Sequence, residues 1–373
     1  MTYDLAVVGG GILGLAHAWQ GAKAGLRVAV FERDAAADGA SVRNFGMLAI
    51  VAQRPGPELD SARSALNAWR EVAAATGLEV RQVGCLFVAR HPEEMDVLAE
   101  CAAQIHASGH AFTLLDGPQA HSHAPAINNA ALGALHSPDA WKVDQRGALA
   151  AISGWLAQVH GVTFYFGTEV QEAADGRIVA ADGTWRARHI VICGGDEFAR
   201  LYPGAWAVSG VTSCRLQMLR TVPQPAGFQL TPFMLGGLSL TRYSAFADCA
   251  SLPALHAYQQ AHQASALAHG VHVIAAQEAD GSITLGDSHH YGVGVTPDDP
   301  AAVDSLILDA LTDIAALPDS RIAQRWIGRY AHLSGETVLR LAPAPGVTAV
   351  TVTNGQGMTH GFTVAAETIR TIA

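Results

Sequence analysis

The sequence predicts a mixed α/β protein, α+β overall, built as two interleaved domains. Three observations lead there. The first 32 residues read as strand, glycine turn, helix and second strand. Two later strands also run into glycine turns, at 194–195 and 355–361. The whole chain, at 373 residues, is too long for one small core.

The first strand is Asp4 to Val8, and Gly9-Gly10-Gly11-Ile12-Leu13-Gly14 follows it at once. This is G-x-G-x-x-G with glycines at 9, 11 and 14, which marks a Rossmann-like dinucleotide-binding unit. Gly9 permits the tight turn, Gly11 leaves room for a pyrophosphate, and Gly14 lets helix and strand pack closely. The helix begins at Ile12 and Leu13 and runs to a plausible cap at Gly25. Its N-terminus presents free N–H groups and a positive dipole end to phosphate. The second strand, Arg27 to Phe31, ends in Glu32, followed by Arg33. An acid 18 residues past Gly14 suits the ribose hydroxyls of the adenosine and disfavours a 2′-phosphate.

Further strands are expected at Val80 to Val88, Val162 to Phe166, Ala187 to Cys193, Arg215 to Thr221, Val271 to Ala276, Ser282 to Gly286 and Val347 to Val352. Helices are expected over 144–159, Pro253 to Ala268, Pro300 to Leu317 and Phe362 to Ile372. In the first of these, Asp144 caps the start and Gly161 the end. Ala148, Leu149, Ile152, Trp155, Leu156 and Val159 share an apolar face.

Composition narrows the function. A net charge of −10 argues against nucleic acid or an anionic membrane as partner. No apolar run is long enough for a membrane span. Asp4 and the lack of a basic leader make the N-terminus a strand, not a signal peptide. The five cysteines are scattered, without a CxxC pair, and read as buried thiols in a reducing, cytoplasmic compartment. The 17 histidines form no HExxH motif, and no metal is expected. Oligomeric state cannot be read from the sequence.

The segment Gly39-Ala40-Ser41-Val42-Arg43-Asn44-Phe45-Gly46-Met47 follows the ribose acid directly. With this loop the sequence resembles the D-amino-acid oxidase/glycine oxidase superfamily of FAD-dependent oxidoreductases. The resemblance implies that Ser41 and Arg43 or Asn44 meet phosphate or ribityl oxygens, with Gly46 and Met47 beside the flavin ring. It implies that Val170 meets the adenine through its backbone, and that Gly194-Gly195 is the family's second glycine turn. It places Gly355, Gly357, Met358 and Thr359, with the helix after them, at the flavin's N1–C2=O edge. Helix N–H groups would stabilise negative charge there. Arg43 stands where some relatives carry a flavin-linking histidine, so non-covalent FAD is expected. The flavin domain would then take 1–75, 141–212 and 326–373. The substrate domain, a mainly antiparallel roof, would take 76–140 and 213–325.

On the substrate side, the resemblance implies hydride transfer from an amine-bearing carbon to the flavin, followed by hydrolysis of the imine. Trp326-Ile327-Gly328-Arg329-Tyr330-Ala331-His332 resembles the W-x-G motif that enters the active site of family amine oxidases. Gly328 would then border the cofactor. Arg329 is a candidate carboxylate anchor, although the glycine-oxidase branch would place that anchor at the next position, held here by Tyr330. His289 and Tyr291, in Gly286-Asp287-Ser288-His289-His290-Tyr291, are candidate anion or amine contacts, and Arg54 is another. These motifs together resemble a branch associated with bacterial phosphonate catabolism. That implies 2-aminoethylphosphonate or its N-methyl derivative as substrate and phosphonoacetaldehyde as product. The alternatives are a glycine, sarcosine or D-amino-acid oxidase, a 2-hydroxy-acid oxidase, or a non-catalytic flavin-bearing subunit. The electron acceptor is O2 or another oxidant. Only Lys23 and Lys142 are lysines. Both are expected away from the flavin, Lys142 at the surface. A protonated His332 or His360 would then be the cation that assists O2.

Overall fold

The computed structural model describes residues 2–104, 109–292, 294–295 and 297–373. Its first sheet has eight strands and is built around Thr2–Val8. That strand pairs in parallel with Val28–Phe31 on one side and Gly183–Ile192 on the other. Thr163–Tyr165 and Val347–Val352 extend the parallel set at its two ends. The antiparallel strands Val170–Ala174, Arg177–Ala180 and Val338–Ala344 complete it. Leu5, Ala6 and Val7 are fully buried because helices and loops cover both faces, as a parallel strand requires.

Four helices stack on one face: Ile12–Lys23, Pro57–Thr76, Gln145–His160 and Gly357–Ile369. Phe362 ties three of them together, with edge-on contacts to Trp19 at 5.3 Å and Trp69 at 5.1 Å. The Gln145–His160 helix starts where the Asp144 carboxylate accepts the N–H groups of Arg146 and Gly147. It stops at Gly161, whose φ of +66° is left-handed. Val159 is an exception on its expected apolar face: it is 67% exposed, three residues past Leu156, the helix's last buried side chain.

The second sheet has nine strands and is antiparallel apart from the pairing of Phe233–Leu235 with Cys85–Ala89. Its longest ladder joins Thr212–Thr221 to Ile322–His332. The expected domain boundary at 326 therefore falls inside one continuous strand of this sheet. A small third sheet of Met47–Leu48, Trp141–Val143 and Val80–Gln82 lies between the other two in the chain path.

Several expected elements differ in extent. The single strand from Val80 to Val88 is two strands in two different sheets. The chain breaks at Gly84, where φ is +70° and a Cβ would stand 2.9 Å from the Ser137 carbonyl oxygen. The helix over Pro253 to Ala268 is two, Leu252–His262 and Ala264–Ala268, because Gln263 leaves helical geometry at φ −126° and ψ 26°. The helix capped by Asp299 ends at Ile314, not Leu317. The last helix starts at Gly357, a turn and a half before Phe362.

Candidate cofactor and substrate site

The parallel strands end at a cleft of about 460 Å3. Its floor is the first glycine turn and its geometry explains each glycine separately. Gly9 has φ +108°, and a Cβ there would lie 2.4 Å from the Cys193 carbonyl oxygen. A Cβ on Gly14 would lie 1.9 Å from the Gly9 carbonyl oxygen, so Gly14 serves packing and does not line the cleft. Gly11, Ile12 and Leu13 do line it, and a Cβ on Gly11 would project toward the open side, meeting only the Ser41 hydroxyl at 3.1 Å. Glu32 is held in the wall by two backbone donors: Gly10 N–H to Oε2 at 2.7 Å and Asp34 N–H to Oε1 at 3.0 Å. Val170, with Thr168 and Glu169, lines the cleft beyond it.

The loop after Glu32 forms one side. The Ser41 hydroxyl accepts the Ile12 N–H at 3.0 Å. Arg43 and Asn44 also line the cleft. Arg43 pairs with Asp38 and donates to the Ile327 carbonyl, while Asn44 donates to the Ala40 and Ser41 carbonyls and accepts the Gly46 N–H. Gly46 and Met47 stand outside the cleft lining. Gly46 has φ +66°, and its Cβ would strike the Val143 carbonyl oxygen at 2.2 Å, so its glycine is a packing requirement.

The far side consists of Gly194, Gly195, Ile327, Arg329, Tyr330, Gly355, Gly357 and Met358. Gly328 lies behind it, against Leu216 and the Arg43 carbonyl. Thr359 turns away and accepts the Ala49 N–H at 3.0 Å. Arg329 is 46% exposed and bridges Asp196 and Glu197 at 3.1 and 3.0 Å, and Arg33 reaches Glu197 at 3.3 Å. These arginine–acid pairs sit over the second glycine turn.

This arrangement fits FAD. The leading helix begins without a side-chain cap from Gly11, and Gly11, Ile12 and Leu13 bring its N-terminus to the cleft, with the Ile12 N–H taken by the Ser41 hydroxyl. The Glu32 carboxylate is placed and oriented beside them with lone pairs to spare for ribose hydroxyls. The Gly357–Ile369 helix brings a second N-terminus to the other end, through Gly357 and Met358.

A charged group that the sequence reading passed over lies next to that end. Arg242 donates from Nη1 to the Tyr291 hydroxyl at 3.1 Å and from Nη2 to the Tyr330 hydroxyl at 3.2 Å. Among the described residues, no carboxylate lies within 4.0 Å of it, although Asp287 acts on it from further off, and its side chain is half-buried. The Tyr330 ring spans from Gly355, whose Cβ position is 3.1 Å away, to Arg242, so the guanidinium stands one phenol ring from the cleft. Burial, above all, keeps the Tyr330 phenol well above its ordinary range and so protonated, although Arg242 opposes the shift. The signal was in the sequence: Arg242 is the only charged residue between Arg220 and Asp248.

The other candidates scatter. His289 is buried and its ring centre is 6.3 Å from that of Tyr330 and 6.2 Å from that of Tyr291. Tyr291 is 42% exposed and its ring lies 4.2 Å from that of His332. These three therefore gather around Arg242 and Tyr330. Arg54 does not: it is at the surface, bonded to Asp248. His272, Asp287 and His289 bring possible ligand atoms within 4.8 Å of one another. Their close contacts are to one another and to the backbone. His272 Nε2 is 3.1 Å from Asp287 Oδ1, and His289 Nδ1 is 2.9 Å from the Gly270 carbonyl oxygen.

The structure corrects the expected sources of positive charge. Lys142 is not at the surface. It is buried, donates to the Phe45 carbonyl at 3.0 Å and pairs with Glu278 at 3.1 Å. Burial lowers its pKa, with Glu278 opposing. His360 is buried away from the cleft, 3.1 Å from the Ser61 hydroxyl and 3.0 Å from Gln53 Oε1, and burial holds it at about 4. Burial first, and Arg242 second, lower His332. Neither histidine carries a proton near neutrality. The arginines that line the cleft, Arg33, Arg43, Arg200 and Arg329, are paired with acids; Arg242, one phenol ring away, is held by tyrosine hydroxyls instead and does not titrate.

Comparison with known proteins agrees with this geometry. The family profile described as DAO, FAD dependent oxidoreductase, matches residues 4–371. The chain is 28% identical over 205 residues to a glycine oxidase of Bacillus licheniformis, covering 52% of this chain and 54% of the relative. It is 30% identical over 212 residues to a glycine oxidase of Geobacillus kaustophilus (strain HTA426), covering 53% and 56%. It thus spans about half the length of the curated relatives it matches. The crystal structure of glycine oxidase from Geobacillus kaustophilus superposes with a TM-score of 0.77 at 20% identity, covering 100% of this chain and 94% of that one. An L-α-glycerophosphate oxidase from Mycoplasma pneumoniae with FAD bound gives 0.75 at 18% identity, covering 100% and 95%. These two likenesses are in fold.

Proposed function

Because the chain belongs to the DAO family of FAD dependent oxidoreductases, we propose that it oxidises the C–N bond of a small amine bearing an anionic group, giving an imine that hydrolyses to a carbonyl. The observation that carries the anionic part is Arg242, a guanidinium with phenol partners and no carboxylate within 4.0 Å among the described residues. FAD, when bound, supplies the two-electron acceptor. Everything else falls to the chain's own residues. Glu32 takes the ribose hydroxyls and the Gly11–Leu13 turn takes the pyrophosphate. Ser41, Arg43 and Asn44, which line the same cleft, would border the cofactor. Tyr330, packed on Gly355, separates the cofactor cleft from the substrate's anionic end.

A phenol that accepts a hydrogen bond from Arg242 still has its own O–H to donate. Arg242, Tyr291 and Tyr330 can therefore present several donors to one oxyanion. Three oxygens of a phosphonate use such a set more fully than two of a carboxylate. On that ground 2-aminoethylphosphonate or its N-methyl derivative is the favoured substrate. Glycine, on which two relatives are named to act, is the alternative. Trapping the product carbonyl decides between them: phosphonoacetaldehyde from the aminophosphonates supports the first reading. Glyoxylate from glycine, with no product from the phosphonates, supports the second.

No helix among the described residues is long and apolar enough to cross a membrane. Placement in the cytoplasm, with free buried thiols at Cys85, Cys101, Cys193, Cys214 and Cys249, is part of the same proposal.

A further inference from the structure

Two of the five cysteines stand together. Cys101 lies in the last turn of the helix Pro92–Ala103, and Cys249 just after the short helical turn Ser244–Phe246. They are 3% and 6% exposed and share one apolar cluster with Val97, Phe246 and Leu255. Their chain neighbours lock the register. The Glu100 carboxylate accepts the Ala250 N–H at 2.6 Å, the Ser251 N–H at 2.9 Å and the Ser251 hydroxyl at 2.7 Å. The residue before one cysteine therefore grips the two residues after the other. Between these anchors the thiols meet directly, Cys101 donating its S–H to the Cys249 sulfur. That hydrogen bond, above all, lowers the pKa of Cys249, against burial and the carboxylates of Glu100 and Asp248. The same bond raises Cys101, and burial raises Cys85, Cys193 and Cys214. Cys249 is thus the thiol of the five readiest to ionise, and the thiolate is the reactive form.

We propose that Cys101 and Cys249 are a reversible dithiol–disulfide pair, oxidised by hydrogen peroxide, the product of two-electron reduction of O2. The Cys249 thiolate attacks one peroxide oxygen. The O–O bond breaks, a sulfenic acid stays on Cys249, and the departing hydroxide takes up the proton that Cys249 gave up. The Cys101 sulfur then attacks the Cys249 sulfur. An S–S bond forms, the S–O bond breaks, and a second water leaves with the Cys101 proton. The net change is two thiols and one peroxide to one disulfide and two waters. Each sulfur loses one electron and each peroxide oxygen gains one. A bond made only under oxidant and undone by thiols is compatible with a reducing compartment. It also has a mechanical effect. Cys249 ends the stretch that starts at Arg242 and runs through Tyr243 and Ser244. On one side this stretch is already held to the start of the helix Pro57–Thr76, by Ser244 to Glu58 at 2.7 Å and by Asp248 to Arg54. The disulfide pins its other side to the helix Pro92–Ala103, which packs on the second sheet.

The test counts thiols in the protein purified with its FAD. Kept reduced, then denatured and alkylated, it should show all five. After a small excess of hydrogen peroxide under native conditions, Cys101 and Cys249 should escape alkylation and the other three should not. The intact mass should fall by about 2 Da, the two hydrogens lost to the disulfide, and digestion should give one linked pair of peptides carrying Cys101 and Cys249. Dithiothreitol should restore all five thiols. Cys101→Ser should stop at the sulfenic acid on Cys249, trapped by dimedone, and Cys249→Ser should leave Cys101 a thiol. Five thiols after peroxide, a bond between any other pair, or loss of the Cys101 thiol in Cys249→Ser would overturn the proposal. If a serine variant does not fold, the peptide map of the wild type decides alone. Pinning is read separately by amide exchange over residues 244–252, which should slow at least about threefold in the oxidised protein and recover with dithiothreitol. Unchanged exchange in a protein shown to be linked would overturn the pinning.

Discussion

Replacing Arg242 with methionine removes the guanidinium and keeps most of the side-chain volume. Two hydrogen bonds are lost, to the Tyr291 and Tyr330 hydroxyls, and both phenols keep other ways to bond. The free protein should therefore change little. The bound state should change much more, because the substrate's anion loses its only cationic partner. Losing one member of a desolvated charge pair costs about 2–5 kcal/mol. Arg242 is half-buried, so the lower part of that range applies, about 2–3 kcal/mol. That corresponds to a fall in kcat/KM of roughly 30- to 150-fold. The assay compares 2-aminoethylphosphonate with an uncharged primary amine of the same length. The variant should lose this factor on the first and little on the second. Arg329→Met is the control, since Arg329 is held by Asp196 and Glu197, and it should leave the ratio between the two substrates unchanged. An equal loss on both substrates in Arg242→Met would refute the reasoning, because a structural defect does not read substrate charge.

Other consequences follow from the same geometry. Gly11→Val should fold and fail to hold FAD, since Gly11 has ordinary extended backbone and its Cβ projects into the cleft. Gly14→Ala should fail to fold, because its Cβ would lie 1.9 Å from a backbone oxygen. Flavin absorbance and circular dichroism of the two variants separate these outcomes, and FAD retained in Gly11→Val would displace the pyrophosphate from this turn. Lys142→Met should cost about 3 kcal/mol in urea unfolding, as breaking a buried pair does, by leaving Glu278 with Arg220 and the Thr284 hydroxyl. A change within about 0.5 kcal/mol, the scale of a surface substitution, would show the pair to be dispensable. Acid should destabilise the protein through His17 and His360, both lowered to about 4 mainly by burial. Their contribution is complete above pH 6.5 and is lost as pH falls from there toward 4, by up to about 1.4 kcal/mol per unit for each. His360→Gln should flatten that loss by about one such share between pH 6.5 and 5.5, and an unchanged slope would contradict the burial argument.

The parts of this fold that were legible in the sequence are those fixed by local chemistry. The G-x-G-x-x-G turn, the helix between Asp144 and Gly161, and the strand Val347–Val352 carry their start, stop and periodicity within a few residues. What escaped depends on distant pairing. Nothing local says that Val80–Gln82 and Cys85–Ala89 enter different sheets, because the choice is made by Trp141–Val143 and Gly133–Ser137. Lys142 reads as a surface residue until Glu278, 136 positions away, is brought to it. Arg242 is the sharpest case. Its partners Tyr291 and Tyr330 come from two other segments, so its role is a property of the assembled sheet. A lone charge in a long uncharged stretch was the one local trace of it.

The central claim is that bound FAD accepts electrons from a small anionic amine. Anaerobic titration of the FAD-loaded protein tests it most directly, with 2-aminoethylphosphonate, its N-methyl derivative, glycine, sarcosine and a 2-hydroxy acid added in turn. The account predicts that at least one of the anionic amines bleaches the flavin, that the corresponding uncharged amine does so far less well, and that the hydroxy acid does not. A flavin bleached by the hydroxy acid alone, or left oxidised by every compound, would contradict it.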